Sequence, residues 1–293
     1  MRVFVTGATG FVGTAVVQEL LSAGHRVMGL ARSEEGVAKL AAAGAEAVRG
    51  SLEDLDGLKA AAARSDGVAH LAFNHDFSQY AKNAEEDRKA IEAMGSALEG
   101  SDRPLLVTSG VALLAQGRLA TERDRPHPAS GALPRASEAA AEALAARGIN
   151  ASSVRLPPTT HGHGDKGFVS FLIDAARRNG VAGYVGEGQN RWPATHRRDA
   201  AKVYRLALEH GRADGPYHAI AEEGVAMKSI AEVIGRRLGL PAKSLTPQEA
   251  SEHFGWFALF AAADVPASSQ HTRDLLGWTP TEPGLLADLE GYF

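Results

Sequence analysis

A glycine-spaced loop set directly between a strand and a helix constrains this chain more than any other feature. Thr6-Gly7-Ala8-Thr9-Gly10-Phe11-Val12-Gly13 follows the short, β-branched run at residues 2–5 (RVFV). It opens a helical stretch over residues 11–23, in which Val12, Ala15, Val16, Leu20 and Ala23 share one face. Gly7 permits a tight turn, Gly10 lets the backbone come close to a ligand, and Gly13 lets the helix pack against the strand. The unpaired N–H groups and positive dipole end of such a helix hold a pyrophosphate. The loop therefore predicts a dinucleotide-binding β-α-β unit at the start of the chain.

The rest of the first half continues the alternation. Strands are expected at residues 26–30, 47–48, 67–71, 105–108 and 151–156, and helices at 35–43, 55–63, 84–98 and 137–146. Strands alternating with helices at this spacing predict an α/β fold with a doubly wound, Rossmann-type parallel sheet. From Pro157-Pro158 the texture changes. Glycine and histidine cluster at His161-Gly162-His163-Gly164, a helix is expected over 230–238, and Leu275-Leu276-Gly277-Trp278-Thr279-Pro280 closes another. The expected division is a dinucleotide-binding domain at 1–156 and a smaller C-terminal substrate lobe at 157–293 that carries the last sheet elements.

Composition narrows the function. The 293 residues include no cysteine, which excludes disulfides, thiolate metal sites and cysteine nucleophiles. A net charge of -4 offers no basic surface for nucleic acid or a membrane. No secretory leader and no apolar run of membrane-spanning length is seen, so a cytoplasmic protein is expected. The expected partners are a small-molecule substrate and, in a homodimer, a second copy of the chain.

The loop spacing is GxxGxxG, and in this the chain resembles the extended branch of the short-chain dehydrogenases/reductases, the NAD-dependent epimerase/dehydratase-like proteins. Further segments carry the likeness in order: His70-Leu71-Ala72, Arg155-Leu156-Pro157, His196-Arg197-Arg198-Asp199-Ala200-Ala201 and Leu276-Gly277-Trp278-Thr279-Pro280. The resemblance implies a nicotinamide cofactor bound by Gly7, Thr9, Gly10, Phe11, Val12 and Gly13, with Ser51 and Leu52 beside the adenine. It places Leu71, Ala72, Phe73, Thr108 and Pro157 along the rest of the cofactor cleft. Where the family's ribose-binding acid would stand, this chain has Ala31, followed by Arg32 and Ser33. A guanidinium there suits a 2′-phosphate, so NADP(H) is expected over NAD(H).

The family's catalytic pattern, by contrast, is broken. Counting back from Glu142, its tyrosine falls on Pro134 and its lysine on Glu138; its strand-five hydroxyl falls on Gly110 and its helix asparagine on Ala90. Candidate replacements are His75, as a general acid in the loop after the fourth strand, and Ser109, as a hydrogen-bond donor. His161 and His163 lack companions for a metal set, and no metal is expected. Arg191 is a candidate for an anionic substrate group, His196 and Asp199 are expected to tie the second lobe to the sheet, and the aromatic cluster from His253 to Phe260 is either a packed helix face or an apolar substrate wall. The function expected is an NADP(H)-dependent oxidoreductase of a small carbonyl or alcohol. A non-catalytic dinucleotide sensor or scaffold and a sugar-nucleotide epimerase/dehydratase stay open as alternatives.

Overall fold

β1 (Arg2–Thr6) runs through the middle of a seven-stranded sheet, fully buried after its first residue. The computed structural model of the chain describes residues 1–76, 79–112, 114–126, 136–212 and 214–293. Its first half alternates as expected: α1 (Phe11–Ser22), β2 (Arg26–Ala31), α2 (Glu34–Ala42), β3 (Glu46–Arg49), α3 (Leu55–Ala63), β4 (Gly67–His70), α4 (Tyr80–Ser96), β5 (Leu105–Gly110), α5 (Ser137–Ala146) and β6 (Ala151–Leu156). α4 starts one turn earlier than its apolar pattern suggested, because its first turn is polar and carries no periodicity to read.

The second half contains β7 (Thr159–His161), α6 (Phe168–Asn179), β8 (Ala182–Val185), β9 (Arg191–His196), α7 (Arg197–His210), β10 (Tyr217–His218), β11 (Glu222–Ala226) and α8 (Met227–Leu238). β12 (Ala242–Leu245), α9 (Pro247–Phe254), α10 (Ala258–Ala262), α11 (Gln270–Leu276) and α12 (Leu285–Leu289) complete it.

The large sheet has the order β3-β2-β1-β4-β5-β6-β10, and every neighbouring pair is parallel. Strand order reverses between β1 and β4, which opens a crevice at their C-terminal ends, where sheets of this class bind ligands. Alternate side chains feed two separate cores. Val3, Val5 and Val154 pack with Val16 and Leu20 of α1 and Val203 and Tyr204 of α7. Phe4, Val68 and Leu105 face the other way, onto Ile91 and Met94 of α4 and Leu144 of α5. The strands therefore read as continuous apolar runs, because both of their faces are covered.

α7 and β10 return from the second half to this sheet. α7 lies against α1, and β10 extends the edge with Tyr217 opposite Val154 and His218 opposite Arg155. The two bodies are thus interleaved, and residues after 156 supply one covering helix and the last strand of the large sheet. The remaining strands form a three-stranded sheet, β11-β9-β7, and the pair β12-β8, around a core that includes Trp192, Ile230 and Phe257. Among the described residues no helix is long and apolar enough to cross a membrane.

Candidate functional site

The glycine loop has the geometry its spacing predicts. Gly7 has φ +66°, and a Cβ there would lie 2.7 Å from the Ala72 backbone nitrogen. A Cβ on Gly13 would lie 1.9 Å from the Gly7 carbonyl oxygen, so α1 sits against the loop with no room for any side chain. The Gly10 N–H donates to that same oxygen at 2.9 Å and closes the turn. Gly10 also caps α1 without a side chain, and the first turn of α1 contains no acid. Among the described residues nothing accepts the N–H groups of Phe11, Val12 or Gly13. An uncapped helix end in a side-chain-free cradle fits a pyrophosphate.

At the end of β2 the structure gathers Thr9, Ala31 and Ser33 around Gly36. Ser33 caps α2, accepting from the Gly36 N–H at 3.2 Å, and a Cβ on Gly36 would lie 3.5 Å from the Thr9 methyl. Arg32 is exposed, and no described carboxylate pairs with it; the nearby Glu34 is taken by Arg49. Ser51 accepts from the Glu53 N–H, and Leu52 packs on the core beneath α3. Leu71 packs on the α1 side of the sheet, and the Ala72 N–H donates to the Thr6 hydroxyl at 3.2 Å. Pro157 is buried just beyond β6.

Under this crevice runs a buried polar chain that the sequence pattern did not disclose. His70, at the end of β4, contacts the Thr6 hydroxyl through Nδ1 at 2.7 Å and Asp87 of α4 through Nε2 at 2.8 Å. Asp87 accepts on its other oxygen from the hydroxyl of Ser137, the first residue of α5. A carboxylate accepts, so Nε2 carries a proton toward Asp87, and the Thr6 hydroxyl lies against Nδ1. The chain pins β1, β4, α4 and α5 together with its polar groups satisfied inside the fold. A signal for it existed: Asn83 and Asp87 stand four residues apart on the otherwise apolar face of α4. Thr108 belongs to the same layer, donating to the His70 carbonyl at 2.8 Å and lying 2.8 Å from the Tyr204 hydroxyl. Its hydroxyl is thus committed inside the protein.

Pro134, the tyrosine position, lies outside the described residues. The lysine position, Glu138, is buried in the first turn of α5 and forms a two-pronged ion pair with Arg155 of β6, one prong at 3.0 Å. Arg155 also donates to the Glu122 carbonyl at 3.3 Å and to His218 Nε2 at 3.1 Å. His218 in turn donates from Nδ1 to the Ser268 carbonyl at 2.7 Å. Burial drives the His218 pKa down to about 4, which keeps its ring neutral and its Nε2 able to accept. The Glu122 carboxylate receives the N–H and hydroxyl of Thr272 at 2.9 and 2.8 Å. Glu138, Arg155, His218, Glu122 and Thr272 thus form one buried, hydrogen-bonded cluster. A cavity of about 320 Å³ opens beside it, lined by Arg123, Arg125, Glu142, Arg155 and His271 among others.

The two candidate catalytic residues sit in different settings. Ser109 is buried in β5, in register with Arg155 of β6. His75 is exposed on the loop after β4, with the Phe73 ring 5.1 Å away edge-on and Phe73 itself against Tyr80 at 5.6 Å. Arg191 is not available to an anion as the sequence suggested: Asp264 binds its backbone N–H, Nε and Nη2 at 2.7–3.0 Å. A partner 73 residues away leaves no trace in local spacing. His161 is fully buried, held by Asp288 at 2.8 Å and edge-on to His196 at 5.5 Å, and burial lowers the His196 pKa. Asp165, a little further along, is pushed up to about 6 by burial. Asp199 accepts from Lys202, Thr281 and Glu282, and so ties the C-terminal segment to α7. Of the late aromatics, Phe257 is buried among Phe168, Trp192 and Phe260, while Trp256 stays half exposed beside Phe171.

The comparisons agree with this geometry. A sequence model of the NAD dependent epimerase/dehydratase family matches residues 3–221. An uncharacterized protein of Schizosaccharomyces pombe is 49% identical over the full length of both chains. A 4-hydroxy-2-methyl-3-oxo-4-farnesyl-3,4-dihydroquinoline-1-oxide ketoreductase of Stigmatella aurantiaca is 29% identical over 91% of this chain and 84% of its own. Among solved structures, a nucleoside-diphosphate-sugar epimerase from Pseudomonas aeruginosa superposes with a TM-score of 0.79 over 99% of this chain and 95% of its own, at 19% identity. The glycine loop, the sheet order and the matched span together make this chain a member of the NAD-dependent epimerase/dehydratase family, within the extended short-chain dehydrogenases/reductases.

Proposed function

We propose that the chain is an NADP(H)-dependent oxidoreductase acting on a small carbonyl or alcohol. The observation that carries the cofactor choice is Arg32, exposed at the end of β2 with no described carboxylate bound to it and no acid at position 31. An acid there would hold ribose hydroxyls and repel a 2′-phosphate; an arginine attracts one. The ketoreductase name of a relative matched over 91% of this chain supports carbonyl chemistry. When bound, the nicotinamide supplies or takes the hydride. The chain's own part is to hold the dinucleotide on the α1 end, shield the crevice and exchange a proton with the substrate oxygen. We assign that exchange to His75, because imidazole is the side chain best suited to proton transfer near neutrality, with Ser109 as hydrogen-bond donor.

Two measurements test the reading. Arg32→Ala is expected to weaken NADP binding by about 1.5–3 kcal/mol, the usual size of a lost charged hydrogen bond, and to leave NAD binding unchanged. Equal losses for both cofactors remove Arg32 from cofactor selection. On a panel of aldehydes, ketones and alcohols followed at the nicotinamide absorbance, His75→Ala should lower kcat about 10²–10⁴-fold without altering NADP affinity. Unchanged rates in both His75→Ala and Ser109→Ala discard these two assignments. The closed Glu138–Arg155 pair gives the sensor reading its one specific support, and tight NADP binding without turnover on any panel member would establish it.

A further inference from the structure

The fold brings the first residue of α7 to the first residue of α1. The Arg197 guanidinium carbon lies 5.0 Å from the centroid of the Phe11 ring, although the two residues belong to different halves of the chain. Gly162 makes this approach possible. It has φ +142°, and a Cβ there would stand 3.1 Å from Arg197 Cγ, 3.2 Å from Cδ and 3.1 Å from His196 Nε2. The aliphatic stem of Arg197 is therefore laid across a glycine, and its charged end lies over the ring of Phe11, the first residue of α1.

The charges around this spot are unbalanced. Arg198 pairs with Glu282 at 3.7 Å, and Asp199 is occupied by Lys202, Thr281 and Glu282. No described carboxylate pairs with Arg197. Opposite it stands the N-terminus of α1, uncapped by any side chain and without an acid in its first turn. A positive charge thus stands over the first residue of α1, at the positive end of that helix, with no described carboxylate paired to it, an arrangement that a bound anion would satisfy. Its neighbour, the cation–π contact with Phe11, orients the guanidinium without neutralising it.

We propose that Arg197 is a diphosphate-binding residue, reaching from the second lobe over the pyrophosphate that the Phe11 and Val12 N–H groups hold from below. A planar guanidinium suits two phosphate oxygens at once. The proposal rests on dinucleotide binding at the glycine loop, and not on the choice between NADP and NAD or on turnover. It makes the cofactor a bridge between the two bodies of the protein, since one side of the diphosphate is met by α1 and the other by α7.

The test is calorimetry with NADP, NAD, ADP and adenosine 2′-phosphate on the whole protein. Arg197→Met keeps the stem over Gly162 and Phe11 and removes only the charge. It should weaken NADP, NAD and ADP alike by about tenfold or more, the size of a lost charged contact. Adenosine 2′-phosphate, which has no diphosphate, should bind as to the wild type, and Arg197→Lys should recover part of the ADP affinity. The thermal midpoint without nucleotide shows whether Arg197→Met is folded, and Arg198→Ala should leave all four affinities unchanged. Unchanged ADP affinity in folded Arg197→Met, or an equal loss for adenosine 2′-phosphate, overturns the assignment and leaves the glycine loop standing. Wild-type protein that binds neither dinucleotide nor ADP overturns the loop reading and this proposal together.

Discussion

Gly13→Ala should bind no measurable dinucleotide, with at least about a hundredfold loss of affinity, because even one methyl group has nowhere to go. The added Cβ would stand 1.9 Å from the Gly7 oxygen, 2.8 Å from the Gly7 carbonyl carbon and 3.1 Å from Ala8 Cα, all of them backbone. No rotamer relieves a clash made by Cβ itself. Either α1 withdraws from the sheet or the loop opens, and both move the N–H groups of Phe11 and Val12 off the phosphates. The overpacking should also cost about 1–3 kcal/mol of stability, seen as a lower thermal midpoint. Gly10→Glu reaches the same loss by charge, since its Cβ meets only the Gly7 oxygen at 3.1 Å but its carboxylate enters the anion site. Near-wild-type calorimetric affinity in both proteins would mean the dinucleotide is held somewhere else.

The second large effect is expected at the buried ion pair of Arg155 and Glu138. Arg155 and Glu138 have side chains 1% and 7% exposed, so removing one partner leaves the other's charge buried without a counter-ion. Arg155→Met should therefore destabilise the protein by about 3–5 kcal/mol in a denaturant titration. Arg155→Met combined with Glu138→Met should recover most of that loss, because a pair of buried charges replaced together by apolar groups of similar size is often neutral. Equal destabilisation in the single and double variants would show that Glu138 is not the charge Arg155 neutralises. Glu138→Lys, which restores the family's residue type, should destabilise as well, since it sets an ammonium against the Arg155 guanidinium.

The same cluster gives an acid limit. His218 is held neutral by burial, with its pKa at about 4 against 6.5 when unperturbed. A histidine with a depressed folded pKa binds its proton more readily when unfolded. Its contribution to stability is thus complete above pH 6.5 and is lost as pH falls from there toward 4. This loss comes in a window above the titration of ordinary carboxylates, so a denaturation midpoint that begins to drop near pH 6.5 would report it, and His218→Gln should flatten that part of the curve.

What stood in the sequence was whatever a short window can encode. The loop from Thr6 to Gly13, the helices α3 and α5 and the strand β6 were legible, with their boundaries, because apolar period, glycine placement and cap chemistry all act within about ten residues. The sheet followed from the alternation of those pieces. The partners of the buried charges were not legible. Glu138 meets Arg155 across 17 positions, Asp87 meets Ser137 across 50, and Arg191 is taken by Asp264 across 73. Nothing in the spacing of a chain says which buried charge a distant turn will bring to another. Only the return of α7 and β10 to the first sheet set Arg197 over Phe11 and His218 against Arg155. The physical reason is that local sterics choose the elements, whereas the pairing of charges removed from water is chosen by packing, which the whole chain settles at once.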